Sequence, residues 1–293
     1  MAKFSVIILS YNTLSITKKN ILSLLKATES VKDQMEVIVV DNGSTDGSVE
    51  MLKNLKSEIS NLKIIFNKKN LGYPKGNNQA LKLATGNYVL FLNSDVIVDK
   101  LDFDTLIAYF ENHKSVGVLT VKVVLPTGDI DPASHRGFPT LWNSFCYFLG
   151  LEKIFGKMGI FSKFFGGYHL TNLDLSKIHE IDSPSGAFYL TRKNILDKIG
   201  GFDEKFFMYG EDLDLSFRIK ELGYKIVYYP KFQVTHLKYS SGLKTEDIKT
   251  RKTTNNYFYD AMKIFYKKHY HDQYPFFVNK LVYFFINLKK DLA

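Results

Sequence analysis

The first hundred residues alternate between continuous apolar runs and amphipathic stretches. The runs have strand length, are rich in β-branched residues and end in polar turn residues; they cover 4–9, 36–40, 62–66 and 88–92. Buried parallel strands have this character. Apolar residues at helical spacing follow the first two runs, at Ile21, Leu22 and Leu25 and at Val49, Leu52 and Leu55, and a short helix is predicted over 76–84. The pattern predicts an α/β fold with a mostly parallel sheet and right-handed crossovers.

The pattern continues less regularly up to about residue 240. A helix is predicted around Phe103, Leu106, Ile107 and Phe110, and further helices begin at Arg192, before a Gly200-Gly201 stop, and at Glu211. Further strands are predicted over 116–125, 187–190 and 225–229. Residues 140–170 mix aromatic residues with lysines and fit neither pattern. We therefore predict one globular unit, residues 1–240, and an appended helical extension, residues 241–293.

Composition restricts the cellular setting. The chain has 293 residues, 45% of them hydrophobic and 24% charged, which excludes global disorder. A single cysteine, Cys146, cannot form an intrachain disulfide, which fits a reducing compartment. The apolar run at the N-terminus is too short for a signal peptide, and no run reaches the ~18 residues of a membrane span. These features predict a cytoplasmic protein.

The extension is basic and aromatic. The net charge of the whole chain is +9. In the extension, twelve aromatic residues lie between Tyr257 and Phe285. Lysines beside aromatic side chains are typical of nucleic-acid binding and of a helix at a membrane interface. A helical pair that packs its aromatics into a core, or a dimer contact, is an equally open reading.

Polar clusters follow all four predicted strands of the first hundred residues. They are Ser10-Tyr11-Asn12, the stretch from Asp41 to Asp46, the loop 67–78, and Asn93-Ser94-Asp95. Ligands of open α/β sheets bind beyond the carboxyl ends of the strands, so these clusters are candidate site residues. Each of them taken singly could also be ordinary turn chemistry. The glycine fingerprints of dinucleotide-binding and P-loop proteins are absent, which excludes those two classes.

The ordered motifs resemble those of inverting family-2 glycosyltransferases with the GT-A fold. The resemblance rests on Asp41-Asn42-Gly43-Ser44 after the second strand, on Asn93-Ser94-Asp95, and on Gly210-Glu211-Asp212-Leu213-Asp214. With Gly223-Tyr224 and His236 further on, the chain is most similar to the rhamnosyltransferase-like enzymes of bacterial cell-surface polysaccharide synthesis. The resemblance implies that residues 1–100 form a nucleotide-binding half and 101–240 an acceptor half.

The resemblance also implies a divalent metal, Mn²⁺ or Mg²⁺, and a UDP- or dTDP-sugar donor. Asp95 and His236 match the positions of metal ligands, whereas Asn93 stands where the family has the first Asp of an Asp-x-Asp motif. Asn coordinates a metal more weakly, which suits a contact with ribose or a metal-bound water. The positions that match donor contacts are Ser10, Tyr11, Asn12, Asp41, Asn70, Gly72, Gly76, Asn77, Asn93 and Ser94, with Asp41 as acceptor for the base.

Inversion requires a base that takes the proton of the acceptor hydroxyl. The resemblance assigns this role to Asp212, with Glu211 as its neighbour, and an apolar pocket around 206–209 would raise the pKa of such a base. Carboxylates also stabilise a helix N-terminus without any catalytic role. Asp214 precedes Arg218 by one turn, so we predict that it has a structural role.

The acceptor predicted by the resemblance is a polysaccharide or lipid-linked glycan. The Gln-x-x-Arg-Trp motif of processive synthases is absent after Asp212, which predicts transfer of one or a few sugars. A lipid-linked acceptor would place the protein at the inner face of the cytoplasmic membrane, with peripheral contact through the extension and no nucleic-acid partner. The rival hypotheses are a nucleotidyltransferase and a non-catalytic carbohydrate- or nucleic-acid-binding protein. A nucleotidyltransferase should have a basic glycine-rich loop directly after the first strand, where this chain has Ser10-Tyr11-Asn12.

Overall fold

The computed structural model describes residues 3–238 and 248–292. Its strands are β1 (Phe4–Ser10), β2 (Met35–Asp41), β3 (Leu62–Phe66), β4 (Tyr88–Leu92), β5 (Val96–Lys100), β6 (Val116–Val124), β7 (His179–Ile181), β8 (Phe188–Arg192) and β9 (Lys225–His236). Its α-helices are α1 (Leu14–Ala27), α2 (Ser48–Glu58), α3 (Tyr73–Leu81), α4 (Phe103–Asn112), α5 (Leu141–Phe148), α6 (Leu151–Phe155), α7 (Phe161–Phe165), α8 (Lys193–Ile199), α9 (Glu211–Glu221), α10 (Ile248–His269) and α11 (Phe276–Leu292). The boundary predicted near residue 240 lies outside the described residues.

The strands form one sheet in the order β3-β2-β1-β4-β8-β6-β9-β5, with β7 paired to β9. The strands β1 to β4 are parallel, as predicted. Antiparallel pairing joins β8 to β4 and β6, and β5 and β7 to β9. The predicted α/β class with its C-terminal helices is confirmed, and the second half of the sheet is mixed.

Helices cover both faces of the sheet, because alternate residues of each strand point to opposite sides. Phe4, Val6 and Ile8 of β1 pack in the core with α1, α2 and α4. Ile7 packs in the second core with α3, α8 and α9. A third apolar cluster joins α9 to α10 and α11. The two helices of the extension are therefore packed against the α/β unit.

Several predicted elements needed correction. The helix predicted over 76–84 is α3, which begins earlier, at Tyr73, and ends earlier, at Leu81. In α1, Leu24 is buried and Leu22 is exposed, so the predicted apolar face was wrong at Leu22. The strand β5 was missed, and the unclassified stretch 140–170 contains the short helices α5 to α7.

The strand β9 is longer than the predicted 225–229. Tyr229 pairs with Val121, and the next residue of β6, Lys122, pairs with Gln233. Residues 230–232 therefore form a bulge, which admits Pro230 into a strand that a proline usually ends. Beyond the bulge β9 continues to His236, which pairs with Val96 of β5. The bulge thus carries His236 to the edge where Asp95 lies.

Candidate active site

Three parallel strands end at one edge of the sheet, and Asp41 is the last residue of β2 there. It is paired in register with Ser10 and has no solvent exposure. Its Oδ1 accepts hydrogen bonds from the backbone N–H groups of Gly43 and Ser44, at 3.2 and 2.9 Å. Its Oδ2 is buried without a hydrogen-bond partner. An orphaned carboxylate oxygen is costly unless a ligand donates to it, which fits the predicted acceptor for a nucleobase N–H.

The cluster after β1 divides between ligand-facing and structural side chains. The Ser10 hydroxyl is buried and hydrogen-bonds to the threonines of the first turn of α1. Asn12 has a φ of 52°, and its Oδ1 accepts a 2.8 Å hydrogen bond from the backbone of Thr45. Tyr11 is 44% exposed and can meet a ligand. Of the three residues predicted to contact the donor, Tyr11 and Asn12 are exposed, and the Oδ1 of Asn12 is engaged by Thr45.

The third loop is fixed by side-chain amides. Asn70 Oδ1 accepts hydrogen bonds from Asn42 Nδ2 and from the backbone of Gly72, both at 2.9 Å. Gly72 has a φ of 86°, and a Cβ there would lie 2.6 Å from the carbonyl oxygen of Phe207. The glycine therefore lets the third loop approach the segment that leads into α9. Asn70 thus connects the third loop to Asn42 of the second polar cluster.

Gly76 and Asn77, which were also predicted to contact the donor, lie on α3 and are buried. A Cβ at Gly76 would meet the Leu9 side chain at 2.4 Å, so this glycine lets α3 pack against β1. Asn77 Nδ2 donates a 2.9 Å hydrogen bond to the carbonyl of Tyr73. Both residues support the loop from behind.

Asp95 and His236 face each other at the predicted metal position. Asp95 Oδ1 and His236 Nε2 are 3.1 Å apart, and both residues are buried. On its other side, His236 Nδ1 donates a 2.6 Å hydrogen bond to Asp131, which also binds Lys238. Burial acts to lower the pKa of His236, but the carboxylates of Asp131 and Asp95 raise it to about 9.

Asp131 was not singled out by the sequence analysis. It lies in a loop after β6 and is fully buried, and its contact with Nδ1 orients the His236 ring. Carboxylates that hold the second nitrogen of a metal-binding histidine are common in metal sites. No local sequence signal marks Asp131, because its partner is 105 residues away.

The metal fit rests on this pair of ligands. Within residues 3–238 and 248–292, no group of three or more His, Cys, Asp or Glu side chains could hold a metal ion. One carboxylate and one imidazole suit Mn²⁺ or Mg²⁺ when phosphate oxygens of a substrate complete the coordination. Asp95 and His236 fit that arrangement, and neighbouring Asn93 accepts a 3.0 Å hydrogen bond from the Tyr73 hydroxyl. Ser94, which lies between Asn93 and Asp95 in the chain, is partly exposed.

Glu211 and Asp212 open α9, as predicted, and both are buried. Asp212 Oδ2 accepts a 2.7 Å hydrogen bond from Arg136 Nη2, and Asp212 Oδ1 accepts one from the backbone of Leu213. Arg136 was missed by the sequence analysis. It is buried, and the same nitrogen donates to the Pro184 carbonyl, so the guanidinium is held in place beside the carboxylate.

Glu211 has a different environment from its neighbour. Its Oε2 is buried without a hydrogen-bond partner. Burial, and next the negative charge of Asp212, raise the pKa of Glu211 to about 8. Of the residues 206–209 expected to form an apolar pocket, Phe206 is buried and packs with Leu213 and Phe265. Two adjacent carboxyl groups with different partners can play different proton-transfer roles.

Asp214, the third acid of the motif, has the predicted structural role. Its side chain is fully buried and accepts a 2.8 Å hydrogen bond from Arg218 Nε. It also binds Lys268 and His269 of α10, at 2.7 and 2.8 Å. The pair that the sequence predicted is thus one part of a larger ionic cluster.

Tyr73 links the donor side of the edge to the acceptor side. Burial raises the pKa of its hydroxyl well above the ordinary value, and the charges of Glu211, Asp212 and Asp95 raise it further. The charges of three carboxyl groups therefore act on one phenol. Gly186 makes room for it, since a Cβ there would lie 2.3 Å from the Tyr73 hydroxyl. The sequence analysis did not identify Tyr73.

The arrangement combines a buried carboxylate oxygen without a partner, a facing Asp–His pair and the acidic start of α9. Such a set can hold a nucleoside diphosphate and place a carboxylate against an incoming hydroxyl. The polar clusters of this edge are connected to one another. Asn42 binds Asn70, Tyr73 binds Asn93, and Gly72 lies against Phe207 in the segment before Glu211.

Comparison with known proteins gives a family match. The family model described as "Glycosyl transferase family 2" matches residues 5–174. An N-acetylglucosaminyl-diphospho-decaprenol L-rhamnosyltransferase of Mycobacterium tuberculosis is 28% identical over 227 residues, covering 74% of this chain and 70% of the relative.

Solved structures share the fold. Staphylococcus aureus TarS 1–349 in complex with UDP-GlcNAc matches with a TM-score of 0.58 at 23% identity, covering 89% of this chain and 65% of that chain. The mannosyltransferase PcManGT from Pyrobaculum calidifontis, in complex with GDP-Man and Mn²⁺, matches with a TM-score of 0.58 at 17% identity. This chain spans 64% of PcManGT, so it covers just under two thirds of both solved chains.

Proposed function

Since this chain belongs to glycosyl transferase family 2 and is a glycosyltransferase, we propose that it is a non-processive, inverting enzyme that uses a UDP- or dTDP-sugar. The proposed acceptor is a polysaccharide or a lipid-linked glycan, and rhamnose is the sugar to test first. The name of the mycobacterial relative, a rhamnosyltransferase for a diphospho-decaprenol acceptor, supports both choices. The UDP-GlcNAc bound by TarS supports a pyrimidine donor.

The observation that carries the proposal is that Tyr73 joins the two acidic regions. Its hydroxyl donates a 3.0 Å hydrogen bond to Asn93, beside Asp95, and its backbone N–H donates a 2.8 Å hydrogen bond to Phe207, in the segment that leads to Glu211 and Asp212. Asp95 is paired with His236 and Asp212 with Arg136, but the buried Oε2 of Glu211 has no partner, which is costly unless a ligand supplies one. A divalent cation beside Asp95 and a sugar hydroxyl beside Asp212 and Glu211 would account for this gathering of acids.

On the donor side, we assign Asp41 to the N3–H of uracil or thymine. Its unpartnered Oδ2 is the acceptor that this N–H needs. Tyr11, exposed at the same edge, would cover the base or the ribose. The loop held by Asn70 and Gly72, with Gly76 and Asn77 behind it, would close over the nucleoside, so residues 1–100 form the proposed nucleotide-binding half.

For the metal, we assign Asp95 and His236 as ligands of Mn²⁺ or Mg²⁺. A bound cation would supply positive charge to the diphosphate as the glycosidic bond breaks. Asp131 keeps the His236 ring oriented, and Asn93 remains near enough to contact the ribose or a water. The Mn²⁺ in the PcManGT complex supports this choice of ion.

On the acceptor side, we assign Asp212 as the base. Arg136 orients its carboxylate through a buried 2.7 Å contact, and the remaining lone pairs can accept the proton of a sugar hydroxyl. Glu211, whose raised pKa keeps it protonated near neutral pH, would donate a hydrogen bond to the acceptor. This set makes residues 101–240 the proposed acceptor half.

A titration of UDP, dTDP and GDP by calorimetry, with and without MnCl₂, tests the donor assignment. We expect the two pyrimidine diphosphates to bind at least about tenfold more tightly than GDP, and to depend on the metal. Asp41→Asn should remove the preference for pyrimidines. Equal binding of all three nucleotides would contradict the role of Asp41.

The variant Asp212→Asn tests the base. We expect donor binding close to that of the wild type and a loss of transfer of about 10²–10⁴-fold, since a general base contributes that much. The control Asp197→Asn alters an exposed acid on α8 and should leave both measurements unchanged. Turnover of Asp212→Asn within a few-fold of wild type would reject the assignment.

A further inference from the structure

The outer face of α11 is apolar. Its exposed side chains include Phe277, Leu281, Phe284, Phe285, Leu288 and Leu292, which are 41–75% exposed. At 3.6 residues per turn these six positions fall within an arc of about 100°. The opposite face, with Asn279 and Ile286, is buried. Exposed apolar stripes of this width are rare on soluble surfaces and mark contact sites.

Lysines flank the stripe on both sides. Lys280 lies on one border, with its Nζ 4.5 Å from the centre of the Phe276 ring. Lys289 lies on the other border, with its Nζ 5.9 Å from the Phe148 ring at the end of α5. Cations at the two edges of an apolar face are the pattern of a helix that lies in a membrane interface.

The contact between Lys289 and Phe148 extends the apolar face onto α5–α7. That segment exposes Phe145, Leu149, Ile154, Met158, Ile160, Phe161 and Phe164. Lys153, Lys157 and Lys163 are exposed among them. We call the stripe of α11 together with this segment the α11 surface.

A cavity of about 550 Å³ adds further cations beside α11. It lies between α10 and α11 and is lined by Lys263, Lys267 and His271, with Ile264 and Tyr283. Tyr283 directly precedes Phe284 of the stripe. Lys268, in contrast, is engaged with Asp203 and Asp214. Lys263 pairs with Asp260 at 3.8 Å, so Lys267 is the lysine of this cavity that we assign to an outside anion.

We propose that the α11 surface docks on a lipid bilayer that contains anionic phospholipids. The apolar stripe would enter the boundary between headgroups and acyl chains, and the flanking lysines would meet the phosphates. A second copy of this chain is a poorer occupant, because it would bring the lysines of two stripes together. Within the described residues, no helix is long and apolar enough to cross the membrane, so the contact is peripheral.

Docking would orient the candidate active site, which connects this inference to the proposed function. His269 and Lys268 of α10 bind Asp214 of α9, and Tyr257 of α10 stacks on Phe207 at 4.4 Å. The helix that carries Glu211 and Asp212 is therefore fixed to the docking helices. An acceptor anchored in the same bilayer would meet the site in one orientation.

Sedimentation with sucrose-loaded vesicles tests the docking. We expect the full chain to bind phosphatidylcholine vesicles containing phosphatidylglycerol, and to bind pure phosphatidylcholine at least about tenfold more weakly. Raising NaCl from ~0.1 to ~0.5 M should weaken the binding, because salt screens the lysines. The double variants Leu281→Ser/Phe284→Ser and Lys280→Glu/Lys289→Glu should each lower the partition coefficient at least about tenfold.

Matched controls alter similarly exposed residues elsewhere. Leu83→Ser removes an exposed leucine just after α3, outside the α11 surface, and Lys18→Glu/Lys19→Glu makes the same charge change on α1. Both should bind vesicles like the wild type, and circular dichroism should show all variants folded. The transfer-deficient Asp212→Asn should also bind normally, which separates this test from that of the proposed function.

Three results would overturn the docking inference. The first is equal binding of the wild type to neutral and anionic vesicles, and the second is wild-type-like vesicle binding by Leu281→Ser/Phe284→Ser. The third is a dimer in light scattering that these two substitutions dissociate, without any vesicle binding; the stripe would then be an interface between copies of this chain.

Discussion

At the scale of single residues, the site depends on neighbouring acids that are kept chemically different. Asp212 has a guanidinium partner, whereas Glu211 has a buried oxygen without one. The difference arises because Arg136 approaches only one of two adjacent side chains at the start of α9. Proximity in sequence therefore says little about which acid holds its proton.

The raised pKa of Glu211 predicts a pH-dependent stability difference. The folded-state pKa of about 8 lies above the ordinary value of 4.5, so its stabilising contribution is complete below pH 4.5 and is lost as the pH rises through 8. Glu211→Gln cannot ionise and escapes this loss. We expect the variant to gain free energy of unfolding relative to wild type between those pH values, and the gain to level off above pH 8.

Urea unfolding at several pH values measures this gain. The control Glu221→Gln changes an exposed acid at the other end of the same helix and should follow the wild type at every pH. Stability curves of Glu211→Gln and wild type that stay parallel from pH 4.5 to 9 would show that Glu211 is not buried as a neutral acid.

At the scale of elements, the charge of Asp214 ties α9 to α10. Burial acts to raise the pKa of Asp214. The pKa nevertheless stays below its ordinary value, because of the hydrogen bond from His269, the charge of Arg218 and the contact with Lys268. The cluster joins the helix that carries Glu211 and Asp212 to the extension, and its members are buried or partly buried.

Asp214→Asn should destabilise the fold by about 3–5 kcal/mol near neutral pH, because it leaves buried cations without their anion. Denaturant unfolding measures the loss. The control Asp197→Asn breaks an exposed i,i+4 pair with Lys193 and should cost below about 0.5 kcal/mol. Similar losses in the two variants would mean that the Asp214 cluster contributes no more than a surface ion pair.

At the scale of the whole molecule, the extension shares a core with the α/β unit. Phe206 and Leu213 pack with Ala261, Phe265 and Tyr270 of α10. Because this core contains residues from both parts, neither can lose the other without exposing apolar surface. The extension is thus part of the cooperative fold as well as the bearer of the proposed docking stripe.

We therefore expect a single unfolding transition for the full chain. The only tryptophan, Trp142 on α5, reports on one region by fluorescence, whereas far-UV circular dichroism reports on all helices and strands. Thermal or urea transitions followed by the two probes should coincide. Two separated transitions would indicate that the extension unfolds as an independent domain.

The local pattern was sufficient for most elements. The strand at 88–92 and the buried face of α4 match their predictions, because each is decided by burial of one continuous run or one helical face. The strand at 62–66 forms as predicted, but it lies at the edge of the sheet, where Lys63 and Phe66 are exposed. The predicted pair of Asp214 and Arg218 also follows from helical spacing alone. The end of β9 and the existence of β5 could not be found this way, since each is stabilised by pairing with the other.

The sequence by itself determined the α/β class, the order of the polar clusters and the family resemblance, because these depend on periodicity and on motifs within short stretches. Only the tertiary structure decided that Arg136 faces Asp212, that Asp131 holds His236, and that Tyr73 contacts both Asn93 and Phe207. Such contacts join residues many positions apart, so no local spacing encodes them. The same holds for the outward stripe of α11, since a helix with apolar residues on two faces does not reveal which face the fold will cover.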